Sequence, residues 1–221
     1  MPIEILHEDQ WLIAVSKPSG QATAPGGGIG EGESLQELVA AHLGARALLV
    51  HRLDRDTSGV IVFAKDAEMH RRLSVAFESR EVGKTYLCLV QGHMDAMAGE
   101  ITEPLRTFGS GRVGVDPRGK EAVTRYAVQE RLRAVDLLEV TPATGRRHQI
   151  RVHLYASDHP VLGDTRYGED RPVGGASRLM LHALELTLAD GEGNAMIFRA
   201  DPPEDFNAIV ESYRGPSDAG A

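Results

Sequence analysis

Two aspartates, Asp54 and Asp56, stand two residues apart between arginines and a Thr-Ser-Gly, in the run His51-Arg52-Leu53-Asp54-Arg55-Asp56-Thr57-Ser58-Gly59. Carboxylates so placed could do three kinds of chemistry. An Asp-Thr-Ser-Gly loop could share a proton with a second aspartate in a hydrolase. That needs a second such loop, which the chain lacks, and an apolar strand directly before Asp56, where Arg55 and Asp54 stand instead. An acid/base pair cleaving a glycosidic bond must flank the sugar from opposite faces, and residues two apart are poorly placed for that. The third possibility is one ionised carboxylate acting alone as a nucleophile. In an extended segment Arg52 and Asp54 project to the same side, and a guanidinium within about 4–6 Å favours the charged carboxylate. The plain alternative for this pair is a surface ion pair.

Two further clusters carry functional residue types. In Thr144-Gly145-Arg146-Arg147-His148-Gln149-Ile150-Arg151 the spacing predicts a helix with Arg146 and Arg147 in its first turn. Cations there are disfavoured by the dipole unless an anion sits beside them. Arg147 and Arg151 would then share one face. Tyr86, in Lys84-Thr85-Tyr86, is an aromatic beside a base at the start of a strand, placed either to pack or to stack on a nucleobase.

Other motifs fail. Gly83-Lys84-Thr85 lacks the glycine that a phosphate loop needs five residues earlier, where Glu78 stands, and it leads into a strand rather than a helix. Glycines 26, 27, 28 and 30 follow no strand-to-helix turn, so no dinucleotide fingerprint is read. His148 and His153 would lie about 140° apart around a helix and could not grip one metal. No cofactor or metal is expected.

The elements that must position these residues are legible in outline. Strands are predicted at "WLIAVSK", "GVIVFAK", "KTYLCLVQG", in an antiparallel pair within 123–142, and at "RLMLHALELTL". Ser34 and Glu37 form a capping box for a short helix ending at Gly44. Asp66 caps another through 67–80. Around the aspartates, Asp56 and Ser58 can bond backbone amides in a turn, and Gly59 eases the chain into the following strand. A hydrophobic content of 42% supports a folded core rather than a disordered chain. The lone Cys88 falls inside a strand, as a small buried hydrophobe would. The net charge of −8 hides a basic stretch, residues 101–155, with 10 basic and 6 acidic side chains. That local excess admits an RNA-facing surface despite the acidic total. No signal peptide or membrane-length apolar run is read.

The motifs at 17–20, 51–66, 84–92, 119–128, 145–154, 158–168, 181–186 and 201–206 stand in the order found in RluA-type pseudouridine synthases. The chain resembles that family over nearly its whole length. The predicted elements already make an α+β fold with a mainly antiparallel sheet and a few helices; the resemblance implies two lobes with flanking helices, and one catalytic domain over 1–221 without the small N-terminal RNA-binding domain of many relatives. It implies isomerisation of uridine to pseudouridine in rRNA or tRNA. A monomer is expected, and the single cysteine, with no signal peptide or membrane-length run, leads to the expectation of a cytoplasmic protein without membrane attachment. By the same resemblance Asp54 is the essential carboxylate, Arg151 its partner, and Tyr86 the residue against the base. Arg52 displaces the target nucleotide, while Arg55, Lys120, Arg146, Arg147 and His148 contact RNA. The chain departs from the family at Arg147, where threonine is common, and in the loop after Gly20. Two other readings remain: a non-catalytic RNA-binding protein or chaperone on the same fold, and an aspartic-protease-like hydrolase using 56–59.

Overall fold

Apolar runs and turn residues place the central strands where the pattern puts them, and the short edge strands come from tertiary pairing. The structure is a computed structural model that describes residues 3–26, 30, 32–168, 176–189 and 194–215. The glycine-rich stretch 26–31 lies largely outside them. In chain order the described elements are β1 (Glu4–Glu8), β2 (Leu12–Lys17), α1 (Leu35–Leu43), β3 (Leu48–Leu49), β4 (Ser58–Ala64), α2 (Ala67–Glu78), β5 (Gly83–Gln91), β6 (Ala98–Ile101), β7 (Leu105–Thr107), β8 (Val113–Val115), β9 (Thr124–Leu132), β10 (Val135–Pro142), α3 (Gln149–Ala156), β11 (Leu181–Ala189), β12 (Ala195–Arg199) and α4 (Glu204–Arg214). The fold is α+β, with a mainly antiparallel but mixed sheet and, among the described residues, four helices.

The chain forms two compact units, Met1–Lys84 with His182–Asp201 and Thr85–Leu181 with Pro202–Ala221. In the first, β4 lies between β2, its antiparallel neighbour, and β11, its parallel neighbour. Every residue of β4 is buried. Each of Val60, Ile61, Val62 and Phe63 is at most 1% exposed, and burying such a side chain contributes about 1.5–3 kcal/mol. A strand buried on both faces has no polar alternation to fix its register. Contact with β11 supplies the register instead. Gly59, at φ +113°, pairs with Ala183, and a Cβ there would fall 2.1 Å from the Ala183 carbonyl oxygen.

In the second unit β10 is central, antiparallel to β5 and β9, and β6 closes the far side of β9. β7 and β8 form a separate hairpin. Leu105, Val113 and Ala122 pack with Val152 of α3 and with Tyr167, which seats the hairpin against the helix. α4 buries Phe206 and Val210 in the main core of this unit.

Helix α1 has its capping box, with Ser34 accepting from the Glu37 amide and Gly44 at φ 60°. In α2, Asp66 accepts the Met69 amide at 2.8 Å. The third helix differs from expectation. It begins at Gln149, after His148 in the left-handed region at φ 54°, so Arg146 and Arg147 precede it and occupy no first turn. Arg147 is exposed and Arg151 only 5% exposed, so the two do not form one helical stripe.

Candidate active site and cationic surface

The aspartate-bearing loop, residues 50–57 between β3 and β4, belongs to the first unit and is held by its backbone. Three side chains from 17–23 donate to its carbonyls: Thr23 Oγ1 to Leu53 at 2.9 Å, Lys17 Nζ to Arg55 at 2.8 Å, and Ser19 Oγ to Asp56 at 2.7 Å. Lys17 is fully buried and also donates to the Pro18 and Gln21 carbonyls. A buried ammonium is tolerable only when its hydrogens meet acceptors. Arg55 returns one contact, Nε to the Gly20 carbonyl at 2.9 Å. The Lys-Pro-Ser-Gly segment is therefore a strap for the loop, a role no local signal in the sequence discloses.

The loop's two ends are fixed by histidines. His51 Nε2 accepts the Val62 amide at 3.1 Å, and its ring stacks on Phe77 at 4.5 Å between centroids. Burial, and then the charge of Lys84, push its imidazole down to about 3. It is neutral at pH 7, as an acceptor must be. His182 Nε2 donates to the Ala200 carbonyl at 2.9 Å, so its Nδ1 accepts the Ser58 hydroxyl at 2.8 Å. Ser58 thus bonds a histidine, and Asp56 contributes its carbonyl while its carboxylate is exposed. Asp54 is partly buried, its carbonyl accepting the Thr57 amide at 3.1 Å. Arg52 is exposed, and no ion pair within 4 Å joins it to Asp54 among the described residues.

Tyr86, Arg151, Lys120, Arg146, Arg147 and His148 belong to the second unit. Tyr86 lies half-buried in β5, opposite Val140 of β10. Arg151 is clamped by Asp164: Nε to Oδ2 and Nη2 to Oδ1, both 2.7 Å, with both side chains buried. Burial raises the Asp164 carboxyl, but Arg151 together with the Arg166 and Tyr167 amides holds it below the usual carboxylate range. The pair uses two of the five guanidinium donors. Beneath it Tyr167, 1% exposed, presents its ring to Arg151, 5.2 Å from the centroid. The Tyr167 hydroxyl accepts the Val113 amide at 3.2 Å and bonds His148 Nδ1 at 2.7 Å, tying the strained helix start to the hairpin. Asp164 and Tyr167 were not singled out from the sequence, though both lie in the 158–168 motif.

The helix itself is keyed to β9 by polar contacts. Gln149 Nε2 donates to the Val123 carbonyl and to Thr124 Oγ1, and its Oε1 accepts from Thr144 and the Arg146 amide. His153 Nε2 donates to the Glu103 carbonyl at 2.9 Å, leaving Nδ1 to accept from Thr124 Oγ1 at 2.8 Å. His148 and His153 are thus committed to separate hydrogen bonds, and among the described residues no cluster of three His, Cys, Asp or Glu could hold a metal.

Three of the predicted RNA contacts meet on one surface. Lys120, Arg146 and Arg147 line a concavity of about 480 Å³ with Arg106 and Arg118, over a floor that includes Leu105 and Val113. His148 is not among its lining residues. No described helix is long and apolar enough to cross a membrane.

Residues 11–156 match the family described as RNA pseudouridylate synthase. The chain is 40% identical over 189 residues to ribosomal large subunit pseudouridine synthase C of Vibrio cholerae, covering 82% of this chain and 60% of that protein. It is 35% identical over 237 residues to ribosomal large subunit pseudouridine synthase D of Yersinia pestis, covering 99% of this chain and 73% of that one. The solved human RNA pseudouridylate synthase domain containing 4 superposes with a TM-score of 0.79 at 27% identity, covering 96% of this chain and 93% of the other.

Proposed function

Since this chain belongs to the RNA pseudouridylate synthase family, we propose that it isomerises uridine to pseudouridine in RNA, with ribosomal RNA the first substrate to test and tRNA the second. The carrying observation is the strap: Lys17, Ser19 and Thr23 grip the carbonyls of residues 53, 55 and 56 around Asp54. Such rigidity suits a carboxylate that must meet a ribose within a fraction of an ångström.

The reaction breaks the bond from C1′ to N1, turns the ring and bonds C5 to C1′. C5 loses its hydrogen as a proton and N1 gains one. An ionised Asp54 can start this by adding to C1′ or through elimination to a glycal. Arg151 is its partner, with the guanidinium oriented by Asp164. Tyr86 lies against the base and takes part in proton transfer. Neither C1′ nor C5 is reachable in a stacked nucleotide, so the target must leave the helix, and Arg52 takes its place. The enzyme acts as a cytoplasmic monomer, one catalytic domain with two lobes, without metal or cofactor.

The test uses RNA tritiated at uridine C5, since forming the C5 to C1′ bond releases that label. Asp54→Asn should retain RNA binding and release no tritium, whereas Asp56→Ala should remain active. Full tritium release by Asp54→Asn would sink the assignment.

A further inference from the structure

The cationic concavity of the second unit is built more firmly than a solvated basic face needs to be. Its Arg118-Gly119-Lys120 rim is locked to β7 by two backbone bonds, Leu105 N to Lys120 O at 2.9 Å and Lys120 N to Leu105 O at 2.8 Å. Gly119 is required there, since a Cβ would fall 2.5 Å from the Leu105 carbonyl carbon. The five cations are not equivalent. Asp116 accepts from the Arg118 guanidinium and amide and from Arg106 Nη1. Arg146 directs Nε to the Glu121 carbonyl. Lys120 and Arg147 are exposed and have no acidic group within 4 Å among the described residues. No aromatic lines the concavity, so it offers no platform on which a base could stack.

We propose that this concavity seats the sugar-phosphate backbone of the RNA, with Lys120 and Arg147 contacting phosphate and the Arg106-Asp116-Arg118 group holding the rim. The proposal rests on RNA being the substrate and assigns unequal work to residues of like charge. Phosphate contacts of this kind carry affinity and register, and do not read sequence.

The experiment measures RNA affinity against salt concentration for the whole chain. Lys120→Gln and Arg147→Gln should each reduce the slope of log K on log salt by about 0.7–0.9, and weaken unrelated RNA sequences equally. Arg118→Gln should reduce it by less than half as much. Arg125→Gln, exposed in the same unit and paired with Glu100, controls for bulk charge. An unchanged slope in both Lys120→Gln and Arg147→Gln, a loss confined to one sequence, or an equal loss in Arg125→Gln overturns the proposal. Tritium release by the unsubstituted chain separates the two readings. RNA binding without release removes the isomerase and leaves the concavity to be judged by its slopes.

Discussion

Asp164→Asn changes one atom and tests whether the Arg151 clamp is what the geometry says it is. The amide keeps the Oδ1 position, so the Arg166 and Tyr167 amides at 2.9 and 3.0 Å and Arg151 Nη2 at 2.7 Å keep an acceptor. At the Oδ2 position an NH2 group would face Arg151 Nε–H, donor against donor, across a former 2.7 Å bond. The guanidinium side chain, 6% exposed, would remain charged with its buried counter-ion gone. Breaking such a pair costs about 3–5 kcal/mol, or about 6–20 °C in Tm at this size. Calorimetry, with hydrogen exchange at the α3 amides to follow the second unit, reads the loss. The pH dependence has a fixed sign. The folded-state pKa of Asp164 is depressed, so its stabilisation is full above the unfolded value near 3.9 and is lost as pH falls through the lower folded value. The gap between parent and variant should therefore close below about pH 4. Arg151→Met with Asp164→Leu should recover part of the stability, because the two charges of the clamp leave together, while tritium release should be abolished. A loss under about 1 kcal/mol for Asp164→Asn, or one unchanged down to pH 3, would refute the clamp.

Gly59→Ala should destabilise the first unit by at least about 3 kcal/mol, since a methyl 2.1 Å from the Ala183 oxygen at φ +113° forces β4 away from β11; a near-native Tm would show that the contact yields. His51 predicts acid lability. Its folded pKa, about 3, lies below the unfolded value near 6.5, so the unfolded state binds more protons between them and stability falls as pH drops from about 6.5 toward 3. Urea titrations of the parent and of His51→Asn across that window should converge as the pH falls, and parallel curves would count against the neutral acceptor.

Sequence legibility followed the range of the interaction. The capping box at Ser34, the Asp66 cap, the buried run of β4 and the β9–β10 pair are local, and the structure has them where the pattern puts them. α4 was legible but missed: Phe206, Ile209, Val210 and Tyr213 have helical spacing. The α3 start was misread because His148 takes a left-handed conformation, held by a tyrosine 19 residues away. β1, β6, β7, β8 and β12 are short, and their order comes from neighbours rather than propensity. Around the candidate site, residue types were legible and supports were not. Thr23 to Leu53, Lys17 to Arg55 and Arg151 to Asp164 each join separate stretches of the chain, and nothing in one sequence ties their spacings together.

The bond between Ser58 and His182 also sets a schedule. Its two ends lie 124 residues apart, and Gly59 meets Ala183 across the same gap. During synthesis at about 5–20 residues per second, roughly 6 to 25 s separate the emergence of the aspartate loop from that of the strand that registers it. Through that interval β2 and β3 can already pair with β4, while its Ser58–Gly59 start lacks the β11 neighbour it meets at His182 and Ala183. A nascent chain stalled before residue 182 would therefore leave the start of β4 open to chaperones or to other chains, and the aspartate loop takes its final geometry only once β11 has been made.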